Sequence, residues 1–284
     1  MPLSRRNFFL SLGLPAMAAR AWPASARYGE VSPERLRRVG GSQAPPPLPP
    51  AISPADAFPA QDPNLVREIV GASHGNFARV REAVEKQPAL ARASVDWGFG
   101  DWETCIDAAA HVGNKPIADF LLTHGARPTI FSAAMMGQLD TVKAFVAARP
   151  GIQKTLGPHG INLMSHARAG GADAAAVVQY LTQLGDADGR IPTQPLAAAD
   201  RDALVGKYVY GAGPRDCFIV DVDRDQLGID RPSGPARRFL IHTGNLVFFP
   251  SGVPSVKIAF AREGERVTQL TIADPDIIVT APRA

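Results

Sequence analysis

The chain is poor in cysteine, in charged residues and in long apolar runs, and each shortage excludes a class of protein. Only two of its 284 residues are cysteines, Cys105 and Cys217, so it is not a scaffold built on disulfides. Because they fall in two different predicted domains, a pair of small buried side chains is favoured over a disulfide. Charged residues make up 20% of the sequence, and the formal net charge of +3 comes from three arginines in the first 26 residues; the near-neutral remainder argues against a nucleic-acid-binding surface.

The sequence also lacks the motifs that mark common enzyme classes. It has no S-x-x-K, G-x-S-x-G or H-E-x-x-H pattern and no phosphate-binding loop. Among its six histidines, His159 and His166 are close in sequence, but no carboxylate or cysteine completes a metal set at ligand spacing. We therefore predict a non-enzymatic protein with no metal or other cofactor. A hydrolase with scattered catalytic residues remains a further hypothesis.

The first 26 residues have the pattern of an export signal. Arg5 and Arg6 precede an apolar run from residue 8 to residue 19, and an A-x-A cleavage pattern ends at Ala26. This segment resembles a twin-arginine signal peptide, which implies a periplasmic protein that is cut near Ala26. The run is too short to remain as a membrane span, so no stable membrane insertion is expected after cleavage. Cleavage would lower the net charge from +3 to zero, because the segment holds three arginines and no acidic residue.

Residues 27–63 are rich in proline, alanine and serine, and residues 44–50 read Ala-Pro-Pro-Pro-Leu-Pro-Pro. This composition predicts an extended, disordered linker. A docking ligand for an aromatic groove is the alternative function of the proline run. A plain spacer is favoured, because the run has no flanking basic residues to give it specificity.

Between residues 64 and 190 the apolar residues follow a helical period that recurs about four times. The clearest unit spans residues 104–126, in which a helix of small residues ends at Gly113 and a second, apolar-striped helix ends at Gly125. Its threonine, alanine and glycine positions resemble those of an ankyrin repeat, although Asp107 stands where that family has histidine. The resemblance implies an α-helical ankyrin-repeat solenoid of about four repeats, with an unspecific helical-hairpin solenoid as the rival.

Two loops in this segment carry the residues best suited to contact a partner. The first, residues 94–103, holds two tryptophans, a phenylalanine and three acids, and the second spans residues 155–160. Rings that roof the helices explain the aromatic residues equally well. The strings D-W-G-F-G-D-W-E-T and G-P-H-G-I, in and beside these loops, resemble a group of exported bacterial ankyrin proteins with no established activity. Ankyrin stacks usually bind partners through such loops, so the candidate partner-binding residues are Trp97, Phe99, Asp101, Trp102, Glu103, Arg127 and His159.

After residue 192 the helical period gives way to short β runs separated by turn residues. Their even spacing predicts a small antiparallel β-sheet or barrel-like domain over residues 200–284. The L-x-G-x-Y start at residues 204–208 resembles the lipocalin-like domains appended to serine hydrolases of the penicillin-binding type, although the hydrolase itself is absent. The predicted strands are 206–210, 218–222, 226–230, 237–242, 246–249, 256–260, 267–273 and 277–280.

Together these segments predict a multidomain α plus β protein, with an ankyrin-repeat solenoid followed by a small antiparallel barrel-like domain. We expect it to act in the periplasm by binding a protein partner of unknown identity through its loops and concave face. The alternative is a binding module for a small ligand or cell-wall fragment in the mouth of the barrel. Such a pocket is predicted to be lined by Tyr208, Phe218, Phe239 and Phe248.

Overall fold

One compact unit contains every residue that the computed structural model describes, which are residues 59–232, 234, 237–275 and 277–284. The predicted signal peptide and most of the predicted linker lie outside these described residues. The described chain begins with short helices, continues through a two-stranded hairpin and further helices, and ends in an eight-stranded sheet. Among the described residues, none of the helices has the length and apolar character that crossing a membrane requires.

The helices in the described part of the chain are 6 to 10 residues long, and most begin at a polar side chain that accepts a hydrogen bond from the first turn. Successive helices contact each other in pairs, and the first members of the four pairs also contact one another in chain order. The helices are α1 (Pro63–Ala72), α2 (Phe77–Lys86), α3 (Cys105–His111), α4 (Lys115–Thr123), α5 (Ile130–Met135), α6 (Leu139–Ala148), α7 (Leu163–Ala169), α8 (Ala175–Leu184) and α9 (Ala198–Leu204).

The predicted ankyrin-repeat solenoid is wrong. The apolar residues of the helical segments form two separate clusters, one around Ile69, Ile106 and Leu121 and one around Leu163 and Leu181, instead of one continuous core. The fold is mainly a barrel-like β-sheet with short helices beside it. An apolar stripe that ends in glycine predicts a helix and where it stops, but it does not fix how helices stack on one another.

Eight antiparallel strands form a nearly closed barrel, in which each strand pairs with the next one along the chain. The two edge strands meet at the end of the chain, where Tyr208 bridges to Arg283 and the backbone N–H of Ala284 donates to the carbonyl of Lys207 at 2.9 Å. Each of these eight strands lies within three residues of its predicted bounds, whereas the hairpin strands at residues 94–96 and 102–104 were predicted as a loop. The strands, including the separate β1–β2 hairpin, are β1 (Ser94–Asp96), β2 (Trp102–Thr104), β3 (Gly206–Val209), β4 (Cys217–Asp223), β5 (Gln226–Asp230), β6 (Arg238–Gly244), β7 (Val247–Pro250), β8 (Lys257–Glu263), β9 (Arg266–Asp274) and β10 (Ile277–Pro282).

Aromatic rings fill the interior of the barrel. The rings of Tyr208 and Phe248 each pack edge-on against Phe260, with centroids 5.5 and 5.6 Å apart. The Tyr208 hydroxyl donates to the carbonyl of Leu204 at 2.7 Å, and burial raises the pKa of Tyr208 to about 12. Tyr208 and Phe248, two of the residues predicted to line a pocket, are therefore part of the packed core.

The hairpin of β1 and β2 joins the helical segment to the barrel. The guanidinium of Arg238 donates to Asp101 Oδ2 at 2.7 Å, to the carbonyl of Trp97 at 3.1 Å and to that of Ser251 at 3.0 Å. The side chains of Arg238 and Asp101 are only 12% and 3% exposed. The helical and β segments thus contact each other through a largely buried ion pair, while the predicted domain bounds of 64–190 and 200–284 stay predictions.

Gly113 sits where the backbone of another helix leaves no room for a side chain, so we expect Gly113→Ala to be strongly destabilising. Its φ is +76°, and a Cβ there would lie 2.2 Å from the carbonyl oxygen of Ala169. The matched control is Gly125→Ala, where φ is +88° but no atom lies within 4 Å of the added carbon. The control should lose about 1–2 kcal/mol of unfolding free energy from φ strain alone. Urea unfolding should show at least twice that loss for Gly113→Ala; equal losses would contradict the close approach of α3 and α7.

Candidate metal centre

Three histidines and one glutamate from four separate elements converge near the β1–β2 hairpin. His74 follows the end of α1, Glu103 lies in β2, His111 ends α3, and His159 lies in the short turn Pro158–Gly160. One ligand atom from each of the four side chains lies within 4.8 Å of all the others. Imidazole nitrogen and carboxylate oxygen are the ligands that zinc and related transition metals bind in proteins.

The distances within the cluster suit four ligands around one ion. The Oε1 atom of Glu103 lies 3.0 Å from His111 Nε2, 3.2 Å from His159 Nε2 and 3.5 Å from His74 Nε2. The Nε2 atoms of His74 and His111 are 3.0 Å apart. Ligands that sit about 2.0–2.1 Å from a tetrahedral zinc ion lie roughly 3.3 Å from one another. Four of the six distances in the cluster are thus close to this value, and all the ligand atoms lie within 4.8 Å of one another.

Outer hydrogen bonds point the ligand atoms toward the centre. The Nδ1 of His74 donates to the carbonyl of Gly71 at 2.9 Å, and the Nδ1 of His159 donates to Asp101 Oδ2 at 2.8 Å. Because Nδ1 carries the proton in each ring, the neutral form of each ring turns the Nε2 lone pair inward. Metal-binding histidines are oriented in the same way by a carbonyl or carboxylate.

The carboxylate of Glu103 is held so that one oxygen is available at the centre. Its side chain is fully buried, and its Oε2 accepts a hydrogen bond from Trp97 Nε1 at 2.8 Å. Only Oε1 faces the three imidazoles. The carboxylate would bind an ion through one oxygen, which gives a shell of three nitrogens and one oxygen.

A strained turn holds His159 in place. Its φ is +58°, in the left-handed region that residues with a side chain seldom adopt. The backbone N–H of His159 donates to Asp101 Oδ1 at 2.8 Å, so both oxygens of Asp101 bind this one residue. Strain of this kind is found where the surrounding structure fixes a functional side chain. Asp101 thus supports His159 from the outside and, through Arg238, ties it to the barrel.

The charges of the cluster are strongly coupled. Burial alone would raise the pKa of Glu103, but hydrogen bonds from His111, His159 and His74 outweigh it and hold that pKa far below its usual range. Hydrogen bonds to Asp101 and Glu103 raise the pKa of His159 to about 9. The hydrogen bond to Glu103 likewise raises the pKa of His74. A buried anion thus attracts positive charge to this point, which either protons or a metal ion can supply.

The structure places the predicted partner-binding residues in different surroundings. Glu103 and His159 belong to the cluster, and Trp97 and Asp101 are its outer hydrogen-bond partners. Phe99 packs against the core of the barrel. The other two side chains are exposed: Trp102, at 62%, and Arg127. Their role in binding a partner stays a prediction.

Sequence reasoning did not find this cluster: it predicted no metal, named Glu103 and His159 only as partner-binding residues, and gave His74 and His111 no role. Spacing alone predicts no metal set, because the four ligands are spread from residue 74 to residue 159 and meet only through packing. One signal was present: His74 comes one residue before Gly75, and His111 comes two residues before Gly113. Histidines at the same end of two neighbouring helices can face a common point.

No family model matches the chain, and no curated protein matches it at a significant level. The export signal and the lipocalin-like resemblance drawn from the sequence therefore stay predictions. The functional argument depends on the geometry of the cluster.

Proposed function

We propose that the protein binds one divalent transition-metal ion through His74, Glu103, His111 and His159, and that zinc is the ion this set fits best. The observation that carries the proposal is the convergence of three imidazole nitrogens on one buried carboxylate oxygen, at 3.0 to 3.5 Å. Calcium and magnesium prefer shells made of oxygen, so a shell of three nitrogens disfavours them. Copper(II) competes for such a site, as it does for most nitrogen ligands.

A structural role for the ion is favoured over a catalytic one. Four protein ligands complete a tetrahedral shell, whereas catalytic zinc sites keep one position for water or substrate. The ion would fix the end of α1, the hairpin, the end of α3 and the Pro158–Gly160 turn relative to one another. Through Asp101 and Arg238 the same point is connected to the barrel. Binding energy at the centre would therefore stabilise the contact between the helical and β segments.

Metal stoichiometry tests the proposal. We expect the full chain, stripped with a chelator and dialysed against Zn²⁺, to retain one zinc per molecule by mass spectrometry of the metal. Co²⁺ in its place should give the intense visible bands of a tetrahedral centre. His111→Gln and His74→Gln should lose both signals because each removes a ligand, with far-UV circular dichroism to verify that they fold.

His124→Gln is the matched control, because that ring packs on Phe120 and lies outside the cluster. It should bind metal as the wild type does. Retention of one zinc by both cluster variants, or loss of zinc from the control alone, would show that the ion binds elsewhere.

The role predicted from the sequence, binding of a protein partner in the periplasm, remains a separate proposal. Its support is the exposure of Trp102, which at 62% leaves a large aromatic surface facing solvent. Tryptophan is among the residues most enriched where binding energy is concentrated. The metal centre would then hold rigid the hairpin that presents this ring.

A further inference from the structure

The indole of Trp97 controls the second oxygen of Glu103, the one that does not face the imidazoles. Its Nε1 donates to Oε2 at 2.8 Å, whereas Oε1 lies 3.0 to 3.5 Å from the Nε2 atoms of the three histidines. The glutamate side chain is fully buried, so bulk water does not replace this donor. A hydrogen bond to an ionised carboxylate is roughly twice as strong as one between neutral groups. The indole thus fixes which oxygen is left for an ion.

Three contacts hold Trp97 in this position. Its backbone N–H donates to the carbonyl of Asp101 at 2.9 Å, and its own carbonyl accepts a hydrogen bond from Arg238 at 3.1 Å. The guanidinium of Arg67 lies 4.9 Å from the ring centroid, over the face of the ring. A side chain that is locked by such contacts keeps its donor aimed at one atom. The indole N–H is therefore in place before an ion binds.

The number of ligands at the centre depends on this one hydrogen bond. If Oε2 of Glu103 were released, the carboxylate could bind an ion through both oxygens, as the bidentate glutamate of calcium sites does. Together with three imidazoles it would supply five ligand atoms. Structural zinc sites have four ligands, whereas Mn²⁺ takes octahedral shells rich in oxygen. Turning Oε2 toward the ion would also break its charged hydrogen bond with the indole, which opposes the fifth contact.

We propose that Trp97 is a positioning residue that sets the metal preference of the centre. Its indole N–H confines Glu103 to one metal-binding oxygen, so the shell has four members and selects zinc over ions that need five or six ligands, such as Mn²⁺. This inference rests on the proposed function, because it concerns the same four ligands. It goes further by assigning the choice of ion to a residue that does not touch the ion.

Trp97→Phe tests the inference, because phenylalanine keeps an aromatic ring beside Arg67 but lacks the N–H. We expect the Zn²⁺ affinity of the full chain to fall about tenfold, as it does when an outer hydrogen bond to a metal ligand is lost. The Mn²⁺ affinity should not fall, because the released oxygen adds a ligand that this ion prefers. Competition with a chromophoric chelator measures both affinities. The Co²⁺ form should lose the intense visible bands expected of the tetrahedral wild-type centre.

Tyr180→Phe is the matched control. Its ring also lies beside a cation, with the ammonium of Lys143 5.7 Å from the centroid, and it is outside the cluster. Removing its hydroxyl should leave both metal affinities and the Co²⁺ bands as in the wild type. If Trp97 only stabilised the fold, its replacement would lower both affinities by the same factor and leave the tetrahedral bands intact. Far-UV circular dichroism verifies that both variants fold.

Hydrogen exchange in the zinc-bound wild type tests the same contact without a substitution. The indole N–H of Trp97 should exchange at least about tenfold more slowly than that of Trp102, whose side chain is 62% exposed. Equal losses of Zn²⁺ and Mn²⁺ affinity with unchanged Co²⁺ bands, or equally fast exchange of the two indoles, would overturn this inference and leave the metal site standing. A wild-type chain that binds no zinc would overturn both proposals.

Discussion

Glu103→Gln is expected to abolish the thermal stabilisation that zinc gives to the protein. The substitution keeps the shape of the side chain but removes the anion that faces three imidazole nitrogens. At a zinc concentration 1,000 times the dissociation constant, the wild type should gain about 4 kcal/mol of unfolding free energy. For a chain of this size that corresponds to a rise in Tm of roughly 10 °C. The variant should show no rise, as measured by differential scanning calorimetry with and without zinc.

Without metal, Glu103→Gln should also have a lower unfolding free energy than the wild type. Without Glu103 the raised pKa of His159 loses one of its two causes, and a buried group that balanced the imidazoles is gone. Loss of one partner from a buried charge cluster costs about 3 kcal/mol. The control is Glu82→Gln, in an exposed ion pair with Lys86, which should leave both the metal-free Tm and the zinc effect unchanged. A zinc-dependent rise in Glu103→Gln equal to that of the wild type would contradict the assignment of Glu103 as a ligand.

Arg238→Met is expected to lower the unfolding free energy by about 3 kcal/mol, even without metal. Methionine preserves most of the apolar stem, but Asp101 loses a charged donor at 2.7 Å and the carbonyls of Trp97 and Ser251 lose theirs. This loss of unfolding free energy is at the lower end of the range for a broken buried ion pair, because His159 still donates a hydrogen bond to Asp101. Chemical denaturation of the two proteins measures the difference.

A double-mutant cycle with Asp101→Asn separates the ion pair from general packing. If the pair is the main contact, the double variant should be less destabilised than the sum of the two single variants. The control is Lys86→Met, which removes one partner of an exposed pair and should change stability little. Additive effects of Asp101→Asn and Arg238→Met would mean that the two side chains do not stabilise each other.

Sequence patterns predicted the elements of this fold better than their assembly. Alternation such as that of Val256, Ile258 and Phe260 is a local property, and it placed the strands within three residues of their observed bounds. The stacking of the helices depends instead on which apolar faces meet, and that is not a local property. The helical residues divide into two clusters, so the solenoid inferred from repeated glycines and apolar stripes is wrong.

The candidate metal site was not predicted, for a related reason. Glu103 and His159 are predicted only as partner-binding residues, because they lie in the two predicted finger loops. Their partners His74 and His111 lie near helix ends, where histidine is an ordinary polar residue. Only packing reveals that all four ligand atoms lie within 4.8 Å of one another. Trp97, predicted as a contact residue or a core ring, proves to be a hydrogen-bond donor to Glu103.

X-ray absorption at the zinc edge of the zinc-loaded full chain tests the central claim most directly. The account predicts a four-coordinate shell of three imidazole nitrogens and one oxygen, with metal–ligand distances of about 2.0–2.1 Å and the outer-shell scattering of histidine rings. A spectrum of five or six oxygen neighbours without imidazole scattering would show that zinc does not bind at His74, Glu103, His111 and His159.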